Sequence, residues 1–90
     1  MAKELILSGR VQGVFCRNYC SKIGIKLGIK GSATNLSDGT VQVLLLCDDK
    51  MVKTYVKTLK ENTFNLRFYG QIKNVEIHNY SGSIKGDYTF

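Results

Sequence analysis

The sequence predicts an α+β sandwich of the ferredoxin-like type, in which an antiparallel sheet carries two helices on one face. The chain has 90 residues, which is enough for one hydrophobic core and too few for two. Its apolar patterns alternate as strand, helix, strand, strand, helix, strand, with a short further strand at the end. That order is the split βαβ arrangement of this fold class. We therefore expect residues 1–90 to form one domain.

The first strand and the first helix are joined by a loop. Leu5-Ile6-Leu7 is a continuous apolar run that ends at Ser8-Gly9, as expected of a strand inside a sheet. After the loop, apolar residues recur every three or four positions, which is the spacing of one helix face: Tyr19, Cys20, Ile23 and Leu27. Gly28 is predicted to end this helix of about three turns. Gly24 inside the helix costs on the order of 1 kcal/mol relative to alanine, so we expect close packing there.

A hairpin is predicted to follow the first helix. Gly31 to Asn35 has the pattern of a strand, and Val41 to Cys47 has that of its returning strand. Between them, Ser37-Asp38-Gly39-Thr40 has the composition of a tight turn.

The second helix is predicted to begin after Asp48 or Asp49, either of which can cap its N-terminus. Its buried stripe is predicted to consist of Met51 or Val52, Tyr55, Val56 and Leu59. Glu61-Asn62-Thr63 is predicted to end it.

The C-terminal third is less regular. Residues 62–70 have poor periodicity and are predicted to form a loop. A strand is predicted next, with apolar residues at Ile72, Val75 and Ile77. A bulge is expected between the first two of these, because the alternation breaks there. After a turn at Ser81-Gly82-Ser83, residues 84–90 are predicted to supply the final strand.

The charge of the chain favours anionic partners. The formal net charge is +6 at pH 7. Many of the lysines, however, recur at helical spacing opposite the apolar positions, as on a solvated helix face: Lys22, Lys26, Lys30, Lys50, Lys53, Lys57 and Lys60. Arginine and aromatic residues are not clustered as in single-strand-binding proteins. The pattern therefore favours solvated faces with one phosphate site over a dedicated nucleic-acid surface.

The cysteines do not have the spacing of a metal site. Cys16, Cys20 and Cys47 contain no C-x-x-C pair, and His78, the one histidine, does not complete a zinc site with them. We expect no metal and no other cofactor. No segment has the apolar core of a signal peptide or the ~20 apolar residues of a membrane span. We expect a cytoplasmic monomer with reduced thiols and no membrane partner.

The stretch from Ser8 to Arg17 has the composition of an anion-binding loop. Its glycines allow successive N–H groups to turn toward one point, and the following helix adds its own unpaired N–H groups and the positive end of its dipole. Arg17, in the first helical turn, can hold two oxygens of a phosphoryl group in a bidentate fork. We expect the phosphate-binding loop to consist of Gln12, Gly13, Val14, Phe15, Cys16 and Arg17.

The same stretch resembles the signature of the acylphosphatase family. That signature reads Gly-Arg-Val-Gln-Gly-Val, followed by a variable residue, an aromatic residue and an arginine. Gly9 through Val14 match the run, Phe15 is the variable position, and Arg17 falls on the phosphate-binding arginine of the family. Cys16 departs from the pattern, because the family usually has Phe, Tyr or Trp there.

The predicted hairpin resembles the second signature of the family, Gly-x-Val-x-Asn-x-x-Asp-Gly-x-Val. Its fixed positions are occupied here by Gly31, Asn35, Asp38, Gly39 and Val41. Ser32 and Ala33 stand where the family favours Trp and Val, and these smaller residues indicate altered packing. The resemblance is strong from Leu5 to Val43 and continues only by pattern afterwards.

The resemblance implies hydrolysis of a small acyl phosphate to a carboxylate and inorganic phosphate, without a metal or a covalent intermediate. A carboxylate is a good leaving group, so positioning and charge stabilisation can carry the reaction. Arg17 and the loop N–H groups would hold the phosphoryl oxygens. Asn35 would position the attacking water, since an amide both donates and accepts hydrogen bonds. The phosphate of the substrate can itself accept the proton.

Other interpretations stay open at this point. Asn35 can be a hairpin residue that bonds its own backbone, whereas Asp38 and Gly39 are assigned to the turn. Cys16 can act as a nucleophile if the helix N-terminus and Arg17 favour its thiolate. The phosphate-enclosing loop that cysteine phosphatases place between cysteine and arginine is absent, however, and a bridge to Cys20 would be strained.

A non-catalytic role is the remaining alternative. The same fold can bind phosphorylated metabolites or RNA, and such a module would keep the phosphate loop without needing Asn35.

Overall fold

The computed structural model describes residues 2–90. The elements are β1 (Ala2–Arg10), α1 (Cys16–Leu27), β2 (Lys30–Asn35), β3 (Val41–Leu46), α2 (Asp49–Glu61), β4 (Gln71–Tyr80) and β5 (Tyr88–Thr89). The five strands form one sheet in the order β4-β1-β3-β2-β5, and every neighbouring pair is antiparallel. The predicted order of elements and the ferredoxin-like α+β fold are confirmed.

The core lies between the sheet and the two helices. Leu5 and Leu7 of β1 are paired with Val43 and Val41 of β3, and all four side chains are buried. The helices contribute the predicted apolar stripes to the same cluster: Tyr19, Cys20, Ile23, Val52, Tyr55 and Leu59. Three further residues of those stripes pack at the margin and are only partly buried: Leu27, Met51 and Val56.

Two buried tyrosines join the helices. The Tyr19 hydroxyl donates a hydrogen bond to the carbonyl oxygen of Leu59 at 2.6 Å, and the Tyr55 hydroxyl donates to that of Cys20 at 2.8 Å. Burial raises the pKa of Tyr19 to about 12, and it raises the pKa of Tyr55 well above its ordinary value. Both hydroxyls are protonated donors at neutral pH, and their hydrogen bonds fix α1 against α2.

The N-terminus of α2 resolves the choice between two aspartates. The Asp48 carboxylate accepts a hydrogen bond from the Met51 amide at 2.8 Å, so Asp48 is the cap. Asp49 accepts instead from the ammonium group of Lys3, whose side chain is buried at the edge of the core. Neither helix within residues 2–90 has the length and apolarity needed to span a membrane.

Gly24 lies against the C-terminal residue of the chain. A Cβ atom at Gly24 would overlap the ring of Phe90. The backbone of Phe90 exchanges two hydrogen bonds with Gly31, each of 2.8 Å. The close packing predicted at Gly24 is confirmed, and it fastens the end of the chain between α1 and β2.

The bulge predicted in β4 is present. The pairing of β1 with β4 passes from Ser8–Asn74 to Gly9–Ile72, so Lys73 is the extra residue. β1 continues beyond the predicted end at Ser8-Gly9, because Gly9 and Arg10 still pair with β4.

The final strand is shorter than predicted. The predicted final strand is present, but only Tyr88 and Thr89 have strand structure, and Phe90 after them is hydrogen-bonded to Gly31, so the predicted extent over residues 84–90 is wrong. The physical reason is the topology: β4 and β5 lie at opposite edges of the sheet, and residues 81–87 have to cross between them. They cross the face opposite the helices, where the Ser32 hydroxyl donates to the carbonyl oxygen of Lys85 at 3.0 Å.

The loop of residues 62–70 contributes aromatic side chains to the helical layer. Phe68 stacks on Tyr19, with ring centroids 4.6 Å apart and nearly parallel planes. Leu66 packs against the core. Phe64 stays exposed, and the Lys26 ammonium lies 5.4 Å from the centroid of its ring.

Candidate active site

A cavity of about 260 Å³ opens where the loop after β1, the N-terminus of α1 and the end of β2 meet. Its walls are formed by Val11, Gly13, Phe15, Cys16, Arg17, Asn18, Asn35 and Tyr88. Arg17 and Asn35, the two predicted catalytic residues, therefore share one cavity. So do three of the other residues predicted for the phosphate loop.

The loop reaches the helix through two left-handed residues. Gly13 has φ 72° and Phe15 has φ 66°. A glycine adopts this conformation freely, whereas a non-glycine residue there stores on the order of 1–3 kcal/mol of strain, which is typical of functional sites. The turn at Phe15 lets α1 begin directly at Cys16.

The positive end of the α1 dipole is not neutralised by a side chain of α1. The helix has no side-chain cap and no acidic residue in its first turn. None of the backbone amides from Gln12 to Asn18 donates a hydrogen bond to another residue within the described chain, and the Tyr19 amide is the first that does. Unpaired amides and the positive end of the helix dipole together form a site for an anion.

Gln12 connects the loop to the hairpin that carries Asn35. Its side-chain amide donates to the carbonyl oxygens of Leu36 at 2.7 Å and Thr40 at 2.9 Å. The side chain of Gln12 thus holds the two halves of the cavity together, and it is not among the residues that line it. Val14 likewise does not line the cavity: its side chain lies against Gly70, and its carbonyl oxygen accepts a hydrogen bond from the Tyr69 amide at 3.2 Å.

Arg17 is partly exposed and has two neighbours from the C-terminal segment. Its guanidinium group donates to Oδ2 of Asp87 at 2.9 Å and lies 4.9 Å from the centroid of the Tyr88 ring. The backbone amide of Asn35 donates to the same Oδ2 atom at 3.2 Å. The charged end of Arg17 is therefore held beside the end of β2, within reach of an anionic oxygen.

The side chain of Asn35 carries an unused acceptor. Its Oδ1 atom is buried and has no hydrogen-bond partner within residues 2–90. A buried polar atom left unpaired costs about 1–3 kcal/mol, so such atoms in native proteins call for an explanation. Two residues after Ala33 on β2, Asn35 occupies the helix-facing side of the sheet, and it is one of the residues that line the cavity.

The hairpin turn does not depend on the side chain of Asn35. The Leu36 amide donates to the Thr40 carbonyl oxygen at 2.9 Å, which closes the turn. The Asp38 carboxylate accepts from the Thr40 hydroxyl at 2.6 Å and from its amide at 3.0 Å, and these bonds lower the pKa of Asp38. The assignment of Asp38 to the turn is confirmed. The local role that an asparagine can have in a hairpin is filled by Asp38.

The side chain of Cys16 is packed in the interior of the protein. Cys16 is 2% exposed, and its Sγ atom lies 3.9 Å from that of Cys20. The contact with Cys16 and burial raise the pKa of Cys20, and the Cys20 thiol is neutral at neutral pH. Both cysteines are free thiols. These contacts support a packing role at the position where an aromatic residue was expected.

The structure adds functional candidates that the sequence patterns did not indicate. Tyr88 and Asn18 line the cavity, and Asp87 reaches Arg17 across most of the length of the chain. Asn18 follows Arg17 in the first turn of α1, so its position in the predicted helix could have indicated that it lies at the site. Residues 81–89 carry no periodic pattern that predicts a return to the first loop.

Comparisons with known proteins show the family and the fold of this chain. The acylphosphatase family model matches residues 3–89. An acylphosphatase of Petrotoga mobilis is 35% identical over 89 residues, covering 98% of this chain and 99% of the relative. One from Archaeoglobus fulgidus is 32% identical over 81 residues, covering 89% and 91%. The crystal structure of acylphosphatase from Bacillus subtilis shares the fold, with a TM-score of 0.73 at 23% identity over 86% of this chain and 81% of that one. This chain belongs to the acylphosphatase family.

Proposed function

We propose that this protein hydrolyses acyl phosphates in the cavity between the first loop and the end of β2. The observation that carries the proposal is the meeting of three features there: Arg17, an uncapped helix N-terminus and the unpaired Oδ1 atom of Asn35. Membership of the acylphosphatase family supports the same activity.

The phosphoryl group is held by the loop and by Arg17. The backbone amides from Gln12 to Asn18 donate to no other residue of the described chain, so they are free to donate to the phosphoryl oxygens. A guanidinium group adds a planar pair of donors and a full positive charge, which suits two oxygens of one phosphoryl group. These donors stabilise the charge that spreads over the equatorial oxygens in the transition state.

Asn35 positions the attacking water. Its Oδ1 atom accepts a hydrogen bond from the water, whose oxygen then lies beside the phosphorus held by the loop. The water oxygen forms a bond to phosphorus as the P–O bond to the acyl group breaks, and the electron pair of the broken bond leaves with the carboxylate. The attacking water transfers one proton to a phosphate oxygen, so a general base from the protein is not required.

We take residues 1–90 to act as one domain and as a monomer that needs no cofactor. The three free thiols are those of a protein kept in a reducing compartment, which fits the cytoplasm.

The test is release of inorganic phosphate from an aromatic acyl phosphate in the presence of a chelator. We expect turnover with and without chelator, and no turnover of a simple alkyl phosphate, whose alkoxide is a poor leaving group. Folded protein that releases no phosphate would contradict the proposal. Salt-dependent phosphate binding without turnover would then assign the cavity to a binding module.

A further inference from the structure

A carboxylate of the protein itself is bound to Arg17 beside the cavity. Oδ2 of Asp87 accepts a hydrogen bond from the Arg17 guanidinium group at 2.9 Å and one from the Asn35 amide at 3.2 Å. Both donors belong to residues that form the cavity wall. Two donors at the cavity wall are thus already bound to an anionic oxygen of the protein.

Backbone contacts on both sides hold Asp87 in this place. The Asp87 amide donates to the Thr34 hydroxyl at 3.0 Å, and the preceding Lys85 carbonyl accepts from Ser32 at 3.0 Å. The next two residues, Tyr88 and Thr89, pair with β2. The backbone that carries the Asp87 carboxylate is therefore fixed against β2 on both sides of this residue.

We propose that the Asp87 carboxylate is an internal ligand of Arg17 that the phosphoryl group of a substrate must displace. The inference rests on the proposed binding of phosphate at Arg17, and it does not require turnover. The two anions compete for the same guanidinium group, because Arg17 cannot present its planar fork to both. Asp87 thereby sets how tightly the cavity holds phosphate.

The pair is suited to displacement. The side chains of Arg17 and Asp87 are 33% and 42% exposed, and ion pairs of that exposure are weak. After displacement the carboxylate stays near the bound phosphate, because its backbone is anchored, and like charges repel. While Asp87 is bound to Arg17, phosphate cannot bind there. The apparent affinity for phosphate is therefore reduced in proportion to the fraction of molecules that are free to bind it.

The experiment measures binding of inorganic phosphate by calorimetry to the full chain and to Asp87→Asn. Asparagine keeps an oxygen that can accept from the Asn35 amide, so the fold should be retained. We expect the Kd for phosphate to fall about three- to tenfold, from loss of the competing charge. Glu76→Gln is the matched control, since it removes the same charge from an exposed position on β4.

The Kd of Glu76→Gln for phosphate should stay close to that of the unchanged protein, because distant exposed charges are screened by salt. A Kd in Asp87→Asn that is equal to or higher than in Glu76→Gln would overturn the inference, and a higher one would show that Asp87 orients Arg17 for the anion. Asp87→Ala provides the same test if melting shows that the asparagine variant is poorly folded. Binding that tightens in protein without hydrolytic turnover would support this inference while removing the proposed function.

Discussion

The guanidinium group of Arg17 and the backbone amide of Asn35 donate hydrogen bonds to one and the same oxygen atom, Oδ2 of Asp87. The N-terminus of α1 and the end of β2 are therefore close enough to share a single anionic oxygen. In the proposed mechanism, this closeness lets Arg17 bind the phosphoryl group while Asn35 places a water beside it. The roles of the two residues can be separated by substitution.

Arg17→Lys tests the bidentate contact. Lysine keeps the positive charge and loses the planar fork, so we expect a folded protein whose turnover and phosphate inhibition both fall by about tenfold or more. Steady-state hydrolysis with phosphate as inhibitor measures both. Arg67→Lys is the matched control, because Arg67 does not line the cavity and a lysine there can still lie near the Phe15 ring. Near-normal hydrolysis by Arg17→Lys would remove Arg17 from the site.

Cys16 tests whether the site uses a covalent intermediate. If the residue only packs, Cys16→Ala and Cys16→Ser should retain activity within about tenfold, with some loosening of the loop. Cys47→Ser, a change of a half-buried thiol that does not line the cavity, is the control. Complete loss of activity in a folded Cys16 variant, together with a trapped phosphothiol in the unchanged protein, would establish Cys16 as the nucleophile.

The sequence predicted those parts of the fold that local patterns encode. The helix faces at Tyr19 and Tyr55 follow from apolar spacing, and the hairpin follows from its turn residues. The bulge in β4 follows from one break in alternation at Ile72. In each case the information lies within a few neighbouring residues.

The parts that could not be predicted depend on contacts between distant segments. Phe68 stacks on Tyr19 from a loop without periodicity, because an irregular backbone can still present one aromatic ring. Asp87 meets Arg17 because residues 81–87 cross the sheet, and the crossing follows from the strand order rather than from local composition. It also explains why the strand predicted over residues 84–90 shrinks to Tyr88 and Thr89.

Stability at alkaline pH tests the buried layer between the helices. The pKa of Tyr19 is about 12 in the folded protein against 10.0 as its ordinary value, and the pKa of Cys20 is also raised. The unfolded chain therefore loses these protons first, and the stability present below about pH 9 is lost as the pH rises toward 12. For Tyr19 alone the loss should reach about 1.4 kcal/mol near pH 11.

Urea unfolding at about pH 7.5 and about pH 11 measures this loss, and Tyr19→Phe should show a smaller one. Equal stability at the two pH values, or an equal loss in both proteins, would show that the Tyr19 hydroxyl is not held protonated by burial.

Asn35→Ala separates water positioning from phosphate binding within one cavity. Arg17 and the loop amides remain, so the inhibition constant for inorganic phosphate should move only a few-fold. The water loses its acceptor, and loss of a comparable positioned group costs on the order of 2.7–4 kcal/mol in the transition state. We therefore expect turnover to fall by roughly a hundredfold or more. Asn74→Ala, on β4 and away from the cavity, is the matched control.

The most direct measurement is turnover per folded molecule of Asn35→Ala, taken with its thermal melt and its phosphate inhibition constant on one preparation. The account predicts a folded protein that binds phosphate nearly normally and turns over roughly a hundredfold more slowly or worse. Preserved turnover per folded molecule, with a lowered melting temperature, would contradict it and would return Asn35 to a purely structural role in the hairpin.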